Sequence, residues 1–304
     1  MSYQSSYDTA RSRHYQVLLD ELIKLSNMVP DRTSTFGRPP DFPLPALFVL
    51  LGLKFDSGLS YRTFVAQLGF TPLLLEQLGL KRPPSYSILQ QSLKRVSSTL
   101  QHRMINLLAS KRPPPKNVAV DSTGFSHSTG GEWMSLRFKK TLKRCFTALH
   151  AAVDTDTLMI LAVRVRARPG GDAKELISLL KRVVHRFLKY VYGDKAHISR
   201  KNVQFIHDLG AYPALEPKKR LRAWSRGYRG YKELIREYRR DPKEWKKKHT
   251  YGKRSLVETV FGMMKVRFTG SLSSRGFKEQ RRELLFKVIL HNIERLNFLE
   301  CDGR

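Results

Sequence analysis

Apolar residues recur at helical spacing through roughly the first hundred positions and at strand spacing after residue 117, with prolines punctuating the change. An amphipathic stretch over residues 11–28 predicts one helix. Pro30, Pro39, Pro40, Pro43 and Pro45 follow it closely. Proline has no N–H to donate and clashes with the preceding turn, so no helix runs through this segment. An apolar helix is then expected near residues 47–54, and a shorter one over 60–68 with Ser60 as its N-cap. Thr71 can cap the next, and Pro84-Ser85 opens one that continues to Leu100. Short helices separated by turns suit a helix-turn-helix DNA reader, and equally a small bundle that only packs.

Lys111-Arg-Pro-Pro-Pro-Lys116 can be neither helix nor central strand, which makes it the natural linker between two domains, 1–110 and 111–304. Beyond it, Val118-Ala119-Val120 reads as a buried strand ending at Asp121, with a Ser-Thr-Gly turn after it. Residues 146–153 and 158–165 form a hairpin around Asp154-Thr155-Asp156-Thr157. A helix over 172–188 follows, with Asp172 as N-cap. Residues 190–193 are a second short strand leading into Asp194; 199–209 are helical and 212–215 form another strand. The order describes an α/β domain with a mixed sheet, preceded by a small all-α N-terminal domain.

Charge changes this picture from a fold into a class of partner. Lys and Arg number 56 against 26 Asp and Glu, a formal net charge of +30. Such self-repulsion calls for a polyanion, and nucleic acid is the commonest. Residues 1–110 carry only +5 of it. A basic insert at 218–250 holds 14 Lys or Arg against 4 acids, interleaved with Trp224, Tyr228, Tyr231, Tyr238 and Trp245. These aromatics could stack on unpaired bases or simply pack on the domain. Cys145 and Cys301 lie far apart, so neither a zinc site nor a disulfide framework is expected. The longest apolar run, 44–53, is too short to span a bilayer, and a cytoplasmic, nucleoid-associated protein without membrane contact is expected.

Phosphodiester chemistry needs an activated water or 3′-hydroxyl and a stabilised, extra-charged phosphorus. Two Mg²⁺ ions roughly 3.5 to 4 Å apart supply both and are held by carboxylates. Asp121 and Asp194 each end a short strand, so adjacent parallel strands would bring them together. Taken singly, each is as readily a turn residue. Asp172 and Asp208 read as helix-end residues, Asp154 and Asp156 as turn residues. His127 and His197, near the two aspartates, could each be a general base or a ligand, although a loop histidine is more often merely exposed. In the segment Tyr251 to Lys265, about 100° per residue places Tyr251, Arg254, Glu258 and Lys265 on one helical face, opposite Leu256, Val257, Val260, Met263 and Met264. Amphipathicity alone gives only a helix with a solvated polar side.

The spacing Y-(2)-R-(3)-E-(6)-K in that segment resembles the signature of the DDE insertion-sequence transposases, in their IS-four and IS-five-like branch. Val120-Asp121-Ser122-Thr123-Gly124-Phe125 resembles the first-Asp block and Gly193-Asp194-Lys195 the second, where the usual Asp-small-Gly-Tyr is replaced by Asp194-Lys195-Ala196-His197. Residues 283–296 are similar to the closing helix of that domain. The resemblance implies an RNase H-like mixed sheet flanked by helices, with Asp121, Asp194 and Glu258 as catalytic residues and ligands of two Mg²⁺ ions, for which Mn²⁺ can substitute. It also implies that Tyr251, Arg254 and Lys265 contact DNA phosphates, and that the helical domain recognises DNA ends, dimerises, or both. The expected activity is cleavage at the ends of an insertion sequence and transfer of the 3′-hydroxyl to target DNA, by a homodimer. A nuclease without strand transfer, or an inactive DNA-binding derivative, would carry many of the same features.

Overall fold

A computed structural model describes residues 3–31, 41–127, 146–167, 171–183, 188–218, 221–223 and 226–303. The chain forms two compact units. One draws its described residues from 3–108 and 264–303; the other comprises 109–126 and the described residues of 146–263. Among the described residues one division falls between Leu108 and Ala109, just before the Lys111–Lys116 segment, and another between Met263 and Met264.

The helical unit contains α1 (Tyr3–Ser12), α2 (His14–Ser26), α3 (Leu44–Ser57), α4 (Tyr61–Leu68), α5 (Pro72–Gln77), α6 (Tyr86–Arg95), α7 (Ser98–Ser110) and, from the far end of the chain, α13 (Phe277–Cys301). The single helix expected over 11–28 is in fact two helices with a break at Arg13. Helix α3 is apolar on nearly every side and is correspondingly buried at Leu44 and from Ala46 to Phe55. It packs against α13, where Phe286 sits 5.0 Å from Phe48 and 5.4 Å from Phe55, ring centre to ring centre. Helix α13, expected to close the catalytic domain, packs with α1, α2, α3 and α6, because every position from Glu283 to Ile293, polar as well as apolar, is buried and needs partners on each side.

Ser60 and Ser85 cap α4 and α6, accepting from the backbone N–H groups of Thr63 and Ile88. Thr71 makes no such bond at α5. Helix α6 stops at Arg95 rather than Leu100, since Val96 turns extended before α7 begins. Among the described residues no single helix is long and apolar enough to cross a membrane.

In the α/β unit, strands β1 (Asn117–His127), β2 (Phe146–Asp154), β3 (Ile160–Arg166), β4 (Tyr190–Gly193) and β5 (Tyr212–Leu215) lie in the order β3-β2-β1-β4-β5. β2 runs antiparallel to its neighbours β1 and β3, whereas β4 and β5 run parallel to β1. Helices α8 (Asp172–Leu180), α9 (Arg200–Asp208), α10 (Arg229–Arg240) and α11 (Pro242–Lys248) flank the sheet. A 3₁₀ turn over Tyr251–Arg254 then leads into α12 (Ser255–Phe268). This is the mixed sheet flanked by helices that the order of elements along the sequence predicted.

Two local expectations fail here for identifiable reasons. β1 does not end at Asp121 but continues to His127, because β2 offers it backbone partners from Val118↔Asp154 as far as Ser126↔Phe146. Asp172 does not cap α8, whose N-cap is Gly171; its carboxylate accepts from the Ser122 hydroxyl at 2.8 Å instead. Helix α8 also ends at Leu180, short of residue 188.

The basic insert folds as α10 and α11, and its described aromatics pack. Tyr231 and Trp245 are buried, the Trp245 indole N–H donates to the Tyr212 hydroxyl at 2.7 Å, and Tyr238 meets Trp245 edge-on. Glu237 accepts from Lys248, His249 and Tyr212, and these bonds hold its carboxyl down to about 2 against the cost of desolvation. Trp224 lies outside the described residues.

Candidate active site

β1 and β4 run side by side in parallel, with Val120 paired to Gly193. The next residue on each strand is an aspartate. Register alone therefore sets Asp121 beside Asp194, at the point where β4 ends and β1 carries on.

Asp194 is held by the turn that follows it. Its Oδ1 accepts from the Ala196 N–H at 2.8 Å and lies 2.7 Å from His197 Nδ1. A carboxylate can only accept, so this contact places the imidazole proton on Nδ1. Of the readings open for His197, base, ligand or exposed loop residue, the last fails, since it is 1% exposed. A short turn after a buried strand folds residue i+3 back over residue i, and that Asp-x-x-His spacing was the signal available in the sequence. His197 Nε2 is buried without a hydrogen-bond partner among the described residues. The side chain of His127 lies outside the described residues.

One ligand atom from each of Asp121, Asp194 and His197 can be chosen so that all lie within 4.8 Å of one another. Two carboxylate oxygens at that spacing fit a hard divalent cation, Mg²⁺ or Mn²⁺. The electrostatics separate the two acids. Burial pushes the Asp121 carboxyl up, and the neighbouring Asp194 adds to the rise, opposed by the Ser122 N–H, His197 and Arg254. The His197 hydrogen bond holds Asp194 below the ordinary carboxylate range.

Glu258 is on the exposed side of α12, whose Val257, Val260 and Phe261 are buried. It does not join the Asp-Asp-His cluster directly. Arg254 stands between them, 2.8 Å from Glu258 Oε1 and 3.8 Å from Asp121 Oδ2. Because α12 starts only at Ser255, Tyr251 and Arg254 sit in a 3₁₀ turn and leave the single helical face that the sequence predicted. Tyr251 is 8% exposed, and its hydroxyl, expected at a phosphate, donates to the Gly193 carbonyl at 3.0 Å. It braces the end of β4, one residue before Asp194. Lys265 lies beyond Met263, in the part of α12 counted with the helical unit, and is half-buried.

Gly193 makes this geometry possible. A Cβ there would come within 2.8 Å of the Leu215 side chain and 3.4 Å of His197. Gly193→Ala should destabilise the protein by roughly 1–3 kcal/mol through overpacking. Thermal denaturation reads this directly, and a variant as stable as the parent would show that Leu215 and His197 can yield.

Residues 112–293 match a family model described as a transposase DDE domain. Two solved structures are also similar. One is entitled a pre-cleavage Mos1 transpososome, 12% identical over 89% of this chain and 81% of that chain with a TM-score of 0.25. The other is a Mos1 transposase paired-end complex with left transposon end, 14% identical over 75% and 80% with a TM-score of 0.24.

Proposed function

Given that the chain belongs to the DDE transposase family, we propose that it cleaves DNA at the ends of its own element and joins the freed 3′-hydroxyl to target DNA. The observation that carries this reading is the convergence of Asp121, Asp194 and His197 at the β1–β4 edge, within the matched segment. Asp121 and Asp194 hold divalent metal, Mg²⁺ or Mn²⁺. Bound there, the metal supplies activation of the attacking oxygen and neutralisation of charge at phosphorus. His197 fixes the orientation of Asp194 and keeps it deprotonated. Arg254 is a forked donor already seated between two carboxylates, and in this reading it exchanges Glu258 for a DNA phosphate, which frees Glu258 to complete the acidic set. Lys265 gives a second phosphate contact, while Tyr251 acts mainly by supporting β4.

Double-stranded DNA is the partner, supported by the family and by the +30 charge. A homodimer is proposed because two ends must be cut and joined together. The helical unit recognises ends, mediates dimerisation, or both.

A strand-transfer assay tests the reading. Purified full-length protein is incubated with labelled element-end duplexes, supercoiled plasmid and Mg²⁺ or Mn²⁺. Metal-dependent nicking followed by label joined covalently to the plasmid is the expected result. Nicking without joining would make the protein a nuclease; binding without either would leave only a DNA-binding derivative.

A further inference from the structure

Inside the helical unit, the α3–α4 turn and the stretch from Phe268 to Ser273 border a cavity of about 360 Å³. Its walls are largely apolar, with Phe55, Leu59 and Phe268 among them, and it is also lined by the charged residues Lys54, Glu283 and Lys287. Two of these charges answer each other. Glu283 lies 3.6 Å from the Lys287 ammonium and accepts from the N–H groups of Ser273 and Ser274, while Lys287 donates to the Ser271 carbonyl at 2.8 Å.

Lys54 has no such arrangement. It is 4% exposed, yet among the described residues its ammonium makes neither a hydrogen bond nor an ion pair. It lies 4.4 and 4.6 Å from the ring centres of Phe55 and Tyr61, contacts that leave its three N–H groups without an acceptor. Burial pushes its pKa down to about 8, so at neutral pH it is still mostly protonated. The Tyr61 hydroxyl is likewise buried without a hydrogen-bond partner among the described residues. Burial also pushes its pKa up, which keeps it a donor.

With Glu283 and Lys287 cancelling, the cavity keeps the positive charge of Lys54. A buried ammonium without an acceptor is costly, and a ligand carrying a single negative charge removes that cost. A few convergent polar groups on apolar walls, in a volume of this order, are the features of a small-molecule site. The donors are N–H and O–H groups, which suit a carboxylate because it only accepts. A phosphate dianion would bring a second charge toward Glu283 with no second spare cation among the lining residues. A DNA backbone phosphate carries one charge, but the sugars and phosphates on either side of it find no match in Phe55, Leu59 and Phe268.

We propose that this cavity binds a small organic monocarboxylate, its carboxylate against the Lys54 ammonium and the Tyr61 hydroxyl and its apolar body against Phe55 and Phe268. Such a ligand joins the α3–α4 turn to the segment that leads into α13, and its binding requires neither metal nor DNA.

Isothermal titration calorimetry of the full-length chain in chloride buffer at fixed ionic strength tests this. Benzoate and hexanoate are the probes; benzamide and inorganic phosphate are the controls. At least one acid should bind saturably at one site per chain, with both controls weaker by roughly 10-fold or more. Lys54→Met should weaken that binding by roughly 10- to 100-fold, and Tyr61→Phe, which keeps the ring, by roughly 10-fold. Without acid Lys54→Met is expected to be the more stable protein, so its loss of binding is not a loss of fold. Saturating acid should raise the denaturation midpoint of wild type and leave that of Lys54→Met unchanged. Non-saturating heats for both acids would overturn the proposal, as would equal binding by wild type and Lys54→Met, or phosphate bound more tightly than either acid. Displacement of bound acid by a short duplex would assign the cavity to backbone phosphate and overturn it as well.

Discussion

Asp121→Asn and Asp194→Asn should each lower DNA cleavage by at least roughly 10³-fold while leaving DNA affinity close to that of the parent. Asparagine keeps the shape of each side chain and removes only the charge. The Asp194 carboxylate is tied to His197 at 2.7 Å and to the Ala196 N–H at 2.8 Å, so the amide can be accommodated without unfolding the turn. What is lost is an anionic oxygen from a cluster only 4.8 Å across, which packing cannot replace. DNA affinity is spread over many of the 56 basic residues and should not notice one carboxylate. Glu258→Gln is the informative companion. Loss of cleavage comparable to the aspartate variants is expected if Arg254 releases Glu258 during the reaction. Near-normal cleavage would remove Glu258 from the catalytic set and leave Asp121 and Asp194 as the metal-holding carboxylates, with His197 positioning Asp194. Gel assays for cleavage and anisotropy for binding, run on the same preparations, separate the two quantities.

Lys54→Met should stabilise the protein by about 2 kcal/mol near neutral pH. Lys54 is 4% exposed within the helical unit, with its ammonium 4.4 and 4.6 Å from the ring centres of Phe55 and Tyr61. Burial pushes its pKa down to about 8, although Glu283 opposes the shift. A fall from 10.5 to about 8 corresponds to roughly 3 kcal/mol of penalty on the charged form. Loss of the two ring contacts offsets about 1 kcal/mol of that. Methionine fills nearly the same volume and carries no charge. Glu283 keeps its own partners, the N–H groups of Ser273 and Ser274 and the Lys287 ammonium.

The pH dependence has a definite sign. The folded-state pKa lies below the unfolded one, so between about 8 and 10.5 the unfolded chain binds more protons, and the wild-type contribution to stability rises with pH. The advantage of Lys54→Met is therefore largest below pH 8 and shrinks toward pH 10.5. Denaturant midpoints of both proteins across this range check it; a constant difference, or a destabilised variant, would show that Lys54 is held by contacts worth more than its desolvation.

Much of this protein was determined by local sequence physics. The Pro-rich Lys111–Lys116 segment separates helical from strand periodicity because proline tolerates neither. The hairpin at Asp154 to Thr157, the short strands before Asp194 and at 212–215, and the serine caps of α4 and α6 follow from turn chemistry, β-branched runs and capping hydroxyls within a few residues of one another. The pairing of Asp121 with Asp194 was also legible, since two short strands ending in aspartate and running parallel leave little other choice.

Tertiary structure decided the rest, wherever the deciding partner is distant in sequence. β1 runs past Asp121 because β2 supplies backbone partners that a Ser-Thr-Gly motif does not foretell. Asp172 gives up a helix cap for the Ser122 hydroxyl, 50 residues away. His197 is buried on Asp194 rather than exposed, and Tyr251 spends its hydroxyl on Gly193, because desolvation in a packed site makes each polar atom seek a partner there. The C-terminal helix joins the N-terminal helices for the same kind of reason. Helix α13 is buried on every side from Glu283 to Ile293, and α1, α2, α3 and α6 together supply the partners it needs. That choice brings Arg275 beside α6, a juxtaposition of residues some 180 positions apart that no periodicity encodes.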